Sequence, residues 1–491
     1  LVLMRAHYNF NPQELTMTRL LILLFCLAAM CPGLHAQESD LPSFGEGNAV
    51  SLQQEYYLGR AWLMSFRRQA PMTDDPLMQD YIETLVYRLV ETSQLQERRL
   101  IILLVDNPTI NAFAVPGGIV GVHTGLIQKS ESEAQLASVL THELAHLSQR
   151  HFSRGVENRK KSSAAMMAGL LTGLVAIAAG SPDAGMGAIM GGQAAAMDSQ
   201  LSYSRAHEQE ADRVGMQNLA ASGMDPGGAA AMFTVMQRES RAYGSRPPEF
   251  LMTHPLTEKR IADARNRAGQ YPKKIYQDNT EFQLMRARVE LSFIDDPKKA
   301  VEHFRDKRAK AGRFAVAAQY GWVLALTRNG EFDEARKLLK PMRSYAPYNL
   351  AYSLAEANID IESEDYARAI KRLEYGLELS PGSHPITMYL GEAYFRAGYY
   401  GKADKLLSAH AKVKRNDAQL WYMLAEVQGK EGNILGLRQS RAEYFALNGA
   451  MKMALEQLNL ALPLAQDNVT AERLHNRIAY FQAVGRALQQ F

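Results

Sequence analysis

Cysteine is nearly missing from this sequence: of 491 residues only Cys26 and Cys31 carry a thiol, and both fall in the first 36. The remainder forms no disulfides, and any metal it binds is held by nitrogen and oxygen. An excess of charge of either sign is missing too. The net charge is +3 and like charges do not run together, so nucleic acid is not an expected partner. The apolar run near the start, Leu20 to Met30, has eleven residues, too few to cross a bilayer. Thr18-Arg19 precedes it, Pro32-Gly33 breaks it, and Leu34-His35-Ala36 ends on a small residue. That pattern predicts a signal peptide over residues 1–36, starting at Met17 and cut after Ala36. Met30 stands where a lipoprotein signal needs a small residue, so neither cysteine is read as a lipid site. An exported chain without disulfides points to the bacterial periplasm, with stability resting on core size. Hydrophobic residues make up 47% and charged residues 22%, as in soluble globular proteins, and the length is too great for one core.

What the sequence does contain is organised around SESEAQLASVLTHELAHLSQR, Ser130 to Arg150. Leu136, Val139, Leu140 and Leu147 recur at helical steps, and Ser130 with Glu133 predicts a capping box at the start. His142, Glu143 and His146 form HExxH. At about 100° per residue the two histidines share one face, where they can ligate one metal ion, and Glu143 lies beside that face within reach of a water. A catalytic site of this kind needs a third protein ligand and an open fourth position. Ser204 to Ser222 reads as a second helix, stopped by Gly223 and Pro226. On it Glu208 and Asp212 share a face, the first able to ligate and the second to fix a ligand histidine; Glu210 competes with Glu208 for the ligand role.

Upstream, residues 47 to 68 and 76 to 92 have helical spacing, the second opening after Asp75-Pro76. Arg99 to Val105, Asn111 to Val115 and Ile119 to His123 predict a small sheet around Pro116-Gly117-Gly118. An exposed edge there can pair with an extended peptide, or the strands can be purely structural. Ala164 to Gly180 and Ala184 to Met197 carry no charge apart from the Ser181-Pro182-Asp183 break between them. Their Ala and Gly content favours a packed hairpin or lid over a span. Membrane-surface contact by residues 164–197 is the alternative.

THELAHLSQRH, SRAHEQEADRVG and THPLTEKRI, preceded by NAFAVPGGIVGVHTGLI, resemble the four blocks of metallopeptidase family forty-eight, the HtpX, Oma and CAAX-protease type of gluzincins. The resemblance implies one Zn²⁺ per chain on His142, His146 and Glu208, Glu143 as general base and Asp212 behind a ligand. It also draws in His254, as a resting fourth ligand or a donor to the reacting group, and Arg260, which holds a substrate carbonyl or an acidic neighbour. His151 and His207 are expected to face solvent.

After residue 280 the sequence is helical and repeats at 34 residues: Ala335, Ala369 and Ala403; Phe332, Tyr366 and Tyr400; Pro347 and Pro381. Gly330, Gly398 and Gly432 occupy one further position of that step, with Glu364 in the intervening repeat. The period is that of tetratricopeptide repeats, with units starting near Val316, Leu350 and Ser383-His384. Tyr389, Tyr394, Phe395, Trp421 and Tyr422 are expected mostly to pack between helices rather than line a concave surface. The expected fold is thus α+β and mainly helical: a peptidase domain over 37–275 with a small sheet, then an all-α repeat solenoid over 280–491. The combination resembles the periplasmic peptidase-chaperones of that family. It implies a zinc endopeptidase acting on stalled or misassembled outer-membrane protein precursors, with the barrel assembly machinery as partner. The competing expectation is a non-proteolytic periplasmic chaperone or scaffold with a closed structural zinc site.

Overall fold

A computed structural model describes residues 50–157, 197–242, 248–277, 279–310 and 312–489. The leader and the uncharged stretch from Ala164 up to residue 196 lie outside them. Among the described residues no helix is long and apolar enough to cross a membrane.

Helix α1 (Leu52–Arg67) starts at Ser51, whose hydroxyl accepts the Gln54 N–H while the Gln54 side chain accepts the Ser51 N–H, a capping box. Its Trp62, Leu63 and Phe66 pack with Leu103, Phe113, Val115 and Ile119 from the strands, forming the core beneath the site. Helix α2 (Pro76–Glu91) begins where Asp75-Pro76 predicts, with the Asp75 carboxylate accepting from Leu77 and Met78.

Strands β1 (Ile101–Val105), β2 (Ala112–Val115) and β3 (Ile119–His123) form one sheet in the order β1-β3-β2. β3 runs parallel to β1 and antiparallel to β2. The His123 N–H donates to the Asn111 carbonyl, so the bonded β2/β3 pairs fall at Asn111, Phe113 and Val115. Ala112 and Ala114 consequently turn their N–H and C=O groups away from β3, toward the site.

Short helix α3 (Thr124–Lys129) ends on Ser130, whose hydroxyl donates to the Leu126 carbonyl. This displaces the cap expected at Ser130. Helix α4 (Glu133–Ser148) is capped by Ser132, which accepts from the Gln135 N–H. Glu133 instead accepts from Tyr81, Arg88 and Asn279. Two serines two residues apart offer two registers, and the preceding helix selects the second.

Helices α5 (His151–Glu157), α6 (Met197–Ala221), α7 (Gly227–Ala242), α8 (Glu249–Thr253) and α9 (Glu258–Ala268) complete the surroundings of the site. Beyond them α10 (Thr280–Ser292) and α11 (Pro297–Lys310) lead into four antiparallel pairs. These are α12 (Ala315–Arg328) with α13 (Phe332–Tyr345), α14 (Leu350–Glu362) with α15 (Tyr366–Leu379), α16 (His384–Arg396) with α17 (Tyr400–Ala411), and α18 (Ala418–Glu431) with α19 (Ile434–Leu447). Then follow α20 (Met451–Ala461) and α21 (Asn468–Gln489). The 34-residue step has a physical basis: Ala335, Ala369 and Ala403 are all fully buried, one on the second helix of each of the first three pairs. Tyr389 and Tyr394 are buried between helices, and Phe395, Trp421 and Tyr422 are half-buried, as the packing expectation had it.

The helix-to-helix turns reveal one mismatch. Gly330, Gly398 and Gly432 have φ of 81°, 79° and 84°, and Glu364 is held at φ 63° in the same position. The left-handed region costs a side-chain-bearing residue roughly 1–2 kcal/mol, partly offset by the extra freedom glycine has when unfolded. Glu364→Gly is expected to stabilise the chain by about 0.5–1 kcal/mol, read from urea unfolding; a destabilised variant would contradict the strain.

Candidate metal centre

Helix α4 presents His142 and His146 one turn apart, with their Nε2 atoms 3.1 Å from each other. Helix α6 crosses it closely because small residues line the contact. Ala145 packs with Ala211 and Val214, and a Cβ built on Gly215 would lie 3.0 Å from the His142 backbone nitrogen. At that approach Glu208 reaches both rings, 3.3 Å from His142 Nε2 and 3.4 Å from His146 Nε2. His254, just past the end of α8, brings its Nδ1 to 3.0 Å from Glu208 Oε1 and 3.4 Å from His142 Nε2. All four donor atoms lie within 4.8 Å of one another.

These separations test whether zinc fits. Corners of a tetrahedron about 2.0–2.1 Å from its centre are about 3.3–3.4 Å apart; five of the six pairs here span 3.0 to 3.4 Å, and the sixth, His146 with His254, falls within 4.8 Å. Three imidazoles and one carboxylate, with no thiolate, are donors that zinc takes. The charge balance agrees. Burial alone would raise the Glu208 carboxyl, yet His254, His142 and His146 hold it well below the usual carboxylate range. Burial pulls His142 down, but Asp212 and Glu208 lift it to about 10. Burial, with His142 and His254 alongside, pushes His146 down to about 3, against the pull of Glu208. Two imidazoles this close do not both point a proton inward.

Behind the cluster, Asp212 lies 3.0 Å from His142 Nδ1, which fixes the proton on that nitrogen and leaves Nε2 facing inward. Arg260 is buried and donates twice to Asp212, each time at 2.7 Å, and its Nη1 lies 3.0 Å from Glu208 Oε2. Of the two places open to it, it takes the acidic neighbours. Glu143 is 1% exposed. Burial raises its carboxyl pKa, while the outward N–H of Ala114 on β2 donates to it. Its Oε1 makes no hydrogen bond among the described residues, and His254 Nε2 stands 3.5 Å away. A buried carboxylate with one oxygen uncommitted, beside a strand edge, is equipped to take a proton.

Two expectations fail. His151 and His207 are 6% and 8% exposed, buried rather than solvent-facing. The projection that put His151 outside assumed a continuous helix to Arg150, but α4 stops at Ser148 and Arg150 takes φ 51°, turning the chain back. His151 Nδ1 thereby comes to 2.9 Å from His146 Nδ1, and His207 stacks on His151 at 4.1 Å. Glu210, the competing ligand, faces His151 and Arg154 instead of the cluster. The sequence also gave no hint of what anchors α8. The Phe250 N–H donates to the Ile110 carbonyl, Asn111 donates to Glu249, and the Phe250 ring stacks on His254 at 4.6 Å.

Residues 76–268 match Peptidase family M48, and residues 360–427 match a tetratricopeptide repeat. The chain is 34% identical over 458 residues to the beta-barrel assembly-enhancing protease of Escherichia coli (strain K12), covering 92% of this chain and 93% of that protein. To the protein of the same name from Yersinia pestis it is 33% identical over 430 residues, 87% of this chain and 88% of that one. It is also 32% identical over 169 residues to the mitochondrial metalloendopeptidase OMA1 of Arabidopsis thaliana, 34% of this chain and 32% of that protein. With the two assembly-enhancing proteases matched along most of their length, the chain belongs to peptidase family M48, as a zinc-dependent endopeptidase that carries tetratricopeptide repeats behind its catalytic part.

Proposed function

We propose that the protein is a periplasmic zinc endopeptidase and chaperone for outer-membrane β-barrel precursors, with its repeats docking the precursor or the barrel assembly machinery. The peptidase domain runs from 37 to 275 and the repeat domain from 280 to 491. His142, His146 and Glu208 hold one zinc ion per chain, and His254 takes the fourth position at rest. The observation that carries the proposal is the convergence of four donors within 4.8 Å of one another, with Glu143 and the β2 edge beside them. The names of the Escherichia coli and Yersinia pestis relatives support the barrel-assembly role.

Zinc, when bound, polarises the peptide carbonyl and acidifies the attacking water. The chain does the rest. The Ala112 N–H and C=O and the Ala114 C=O hold an extended substrate by strand pairing. Glu143 accepts the proton of the water and delivers it to the leaving amine. Asp212 keeps His142 in the tautomer that ligates, and Arg260 neutralises Asp212 and Glu208 together.

For substrate to enter, His254 must withdraw, and this separates the two roles the sequence leaves open for it. With an open form populated at roughly 10% or less, His254→Ala is expected to raise basal cleavage of an unfolded barrel precursor about tenfold or more. A fall would make His254 a donor to the reacting group. Cleavage of unrelated exported proteins at the same rate as barrel precursors would contradict the substrate class.

A further inference from the structure

The two histidines of α4 are braced differently. His142 meets a carboxylate directly, Asp212, which Arg260 grips from behind. On its outer nitrogen, His146 reaches a carboxylate through a second imidazole. Its Nδ1 lies 2.9 Å from His151 Nδ1, and His151 Nε2 lies 3.1 Å from Glu210 Oε2. The Arg154 Nη1–H donates to that same oxygen at 2.8 Å. Each ligand imidazole is thus backed by a carboxylate–arginine pair, with His151 inserted in one of the two.

Proton placement along this row is constrained. A carboxylate accepts and does not donate, so His151 carries its proton on Nε2, toward Glu210. One proton lies between the two Nδ1 atoms. If it belonged to His151, the His146 proton would move to Nε2 and point at His142 Nε2, 3.1 Å away, inside the cluster. On His146 it leaves Nε2 bare and aimed at the site. The His207 ring, stacked at 4.1 Å and 6° from parallel, holds the plane of His151, and the left-handed turn at Arg150 delivers it there.

We propose that His151, with Glu210 behind it, is a positioning residue that fixes the tautomer and ring angle of His146 for zinc. This rests on the proposal that His146 is a zinc ligand. Metal-ligand histidines held through their outer nitrogen lose roughly 10- to 100-fold in metal affinity when that partner is removed. The test is zinc affinity of the full chain by chelator competition, with folding followed by circular dichroism.

His151→Phe keeps the stacking ring but offers no acceptor, and is expected to weaken zinc binding roughly 10- to 100-fold. His151→Asn places an amide oxygen where Nδ1 stood and is expected to restore most of that loss. Glu210→Gln is expected to weaken binding in the same direction by a smaller factor, and gives the answer if His151→Phe fails to fold. Wild-type affinity in His151→Phe, or in Glu210→Gln where the first variant is unfolded, would overturn the proposal, as would a His151→Asn chain as weak as His151→Phe. A wild-type chain that binds no zinc would instead overturn the ligand assignment beneath it, so the two failures are distinguishable.

Discussion

Glu143→Gln is expected to lower peptide cleavage by roughly 10²–10⁴-fold while zinc content stays at the wild-type level. The amide has nearly the shape of the carboxylate but cannot accept the proton of the attacking water or return it to the amine. Among the described residues the nearest other base is His254, 3.5 Å away, but it is turned to Glu208 and must withdraw for substrate to enter. Arg260 carries no base at neutral pH, Asp212 is committed to His142 and Arg260, and Glu208 lies among the donor imidazoles. Metal retention follows because Glu143 is outside the four-donor group. Single-turnover cleavage with metal analysis on the same sample checks both halves. A Gln variant that cleaves at the wild-type rate would remove Glu143 from the mechanism.

The second large effect lies away from the metal. Arg288→Leu is expected to destabilise the folded chain by about 3–5 kcal/mol, since removing one partner of a buried ion pair strands the other. Arg288 on α10 donates to Asp75 at the start of α2, to the Tyr320 hydroxyl at 2.8 Å and to the Tyr389 hydroxyl at 3.3 Å. One buried guanidinium therefore ties the start of α2 to two separate repeats. Asp75 keeps its two helix-capping bonds in the variant, which places the loss toward the lower end of that range. Nearby, Lys414–Glu83 and Arg67 bonded to the Asn416 carbonyl join the same two halves. Urea unfolding of the variant should show the loss together with separation of the halves into two transitions. A change under about 1 kcal/mol would mean that Arg288 is solvated and not a clamp.

Much of this was legible because it is periodic. HExxH declares a helix face, Glu208 and Asp212 lie one turn apart on another, and the 34-residue step of Ala335, Ala369 and Ala403 marks where helices touch. What failed to show in the sequence was set by single backbone events or by distant partners. Arginine is no signal for a left-handed turn, so Arg150 concealed the inward swing of His151. Ser130 and Ser132 are equally good caps until α3 claims the first. Arg288 and Asp75 are 213 residues apart, and no local pattern couples them. His254 was visible as a motif residue, but its approach to Glu208 depends on α8 being pinned to Ile110 and Asn111.

The central claim is that two imidazoles of α4 and the Glu208 carboxylate of α6 share one cation, and zinc K-edge X-ray absorption on the purified chain tests it most directly. The expected spectrum has about one zinc per chain, only nitrogen and oxygen neighbours near 2.0–2.1 Å and the outer-shell scattering of at least two imidazoles, all lost in His142→Ala. A chain that takes up no zinc, or His142→Ala and Glu208→Ala chains that bind it as fully as wild type, would contradict the account.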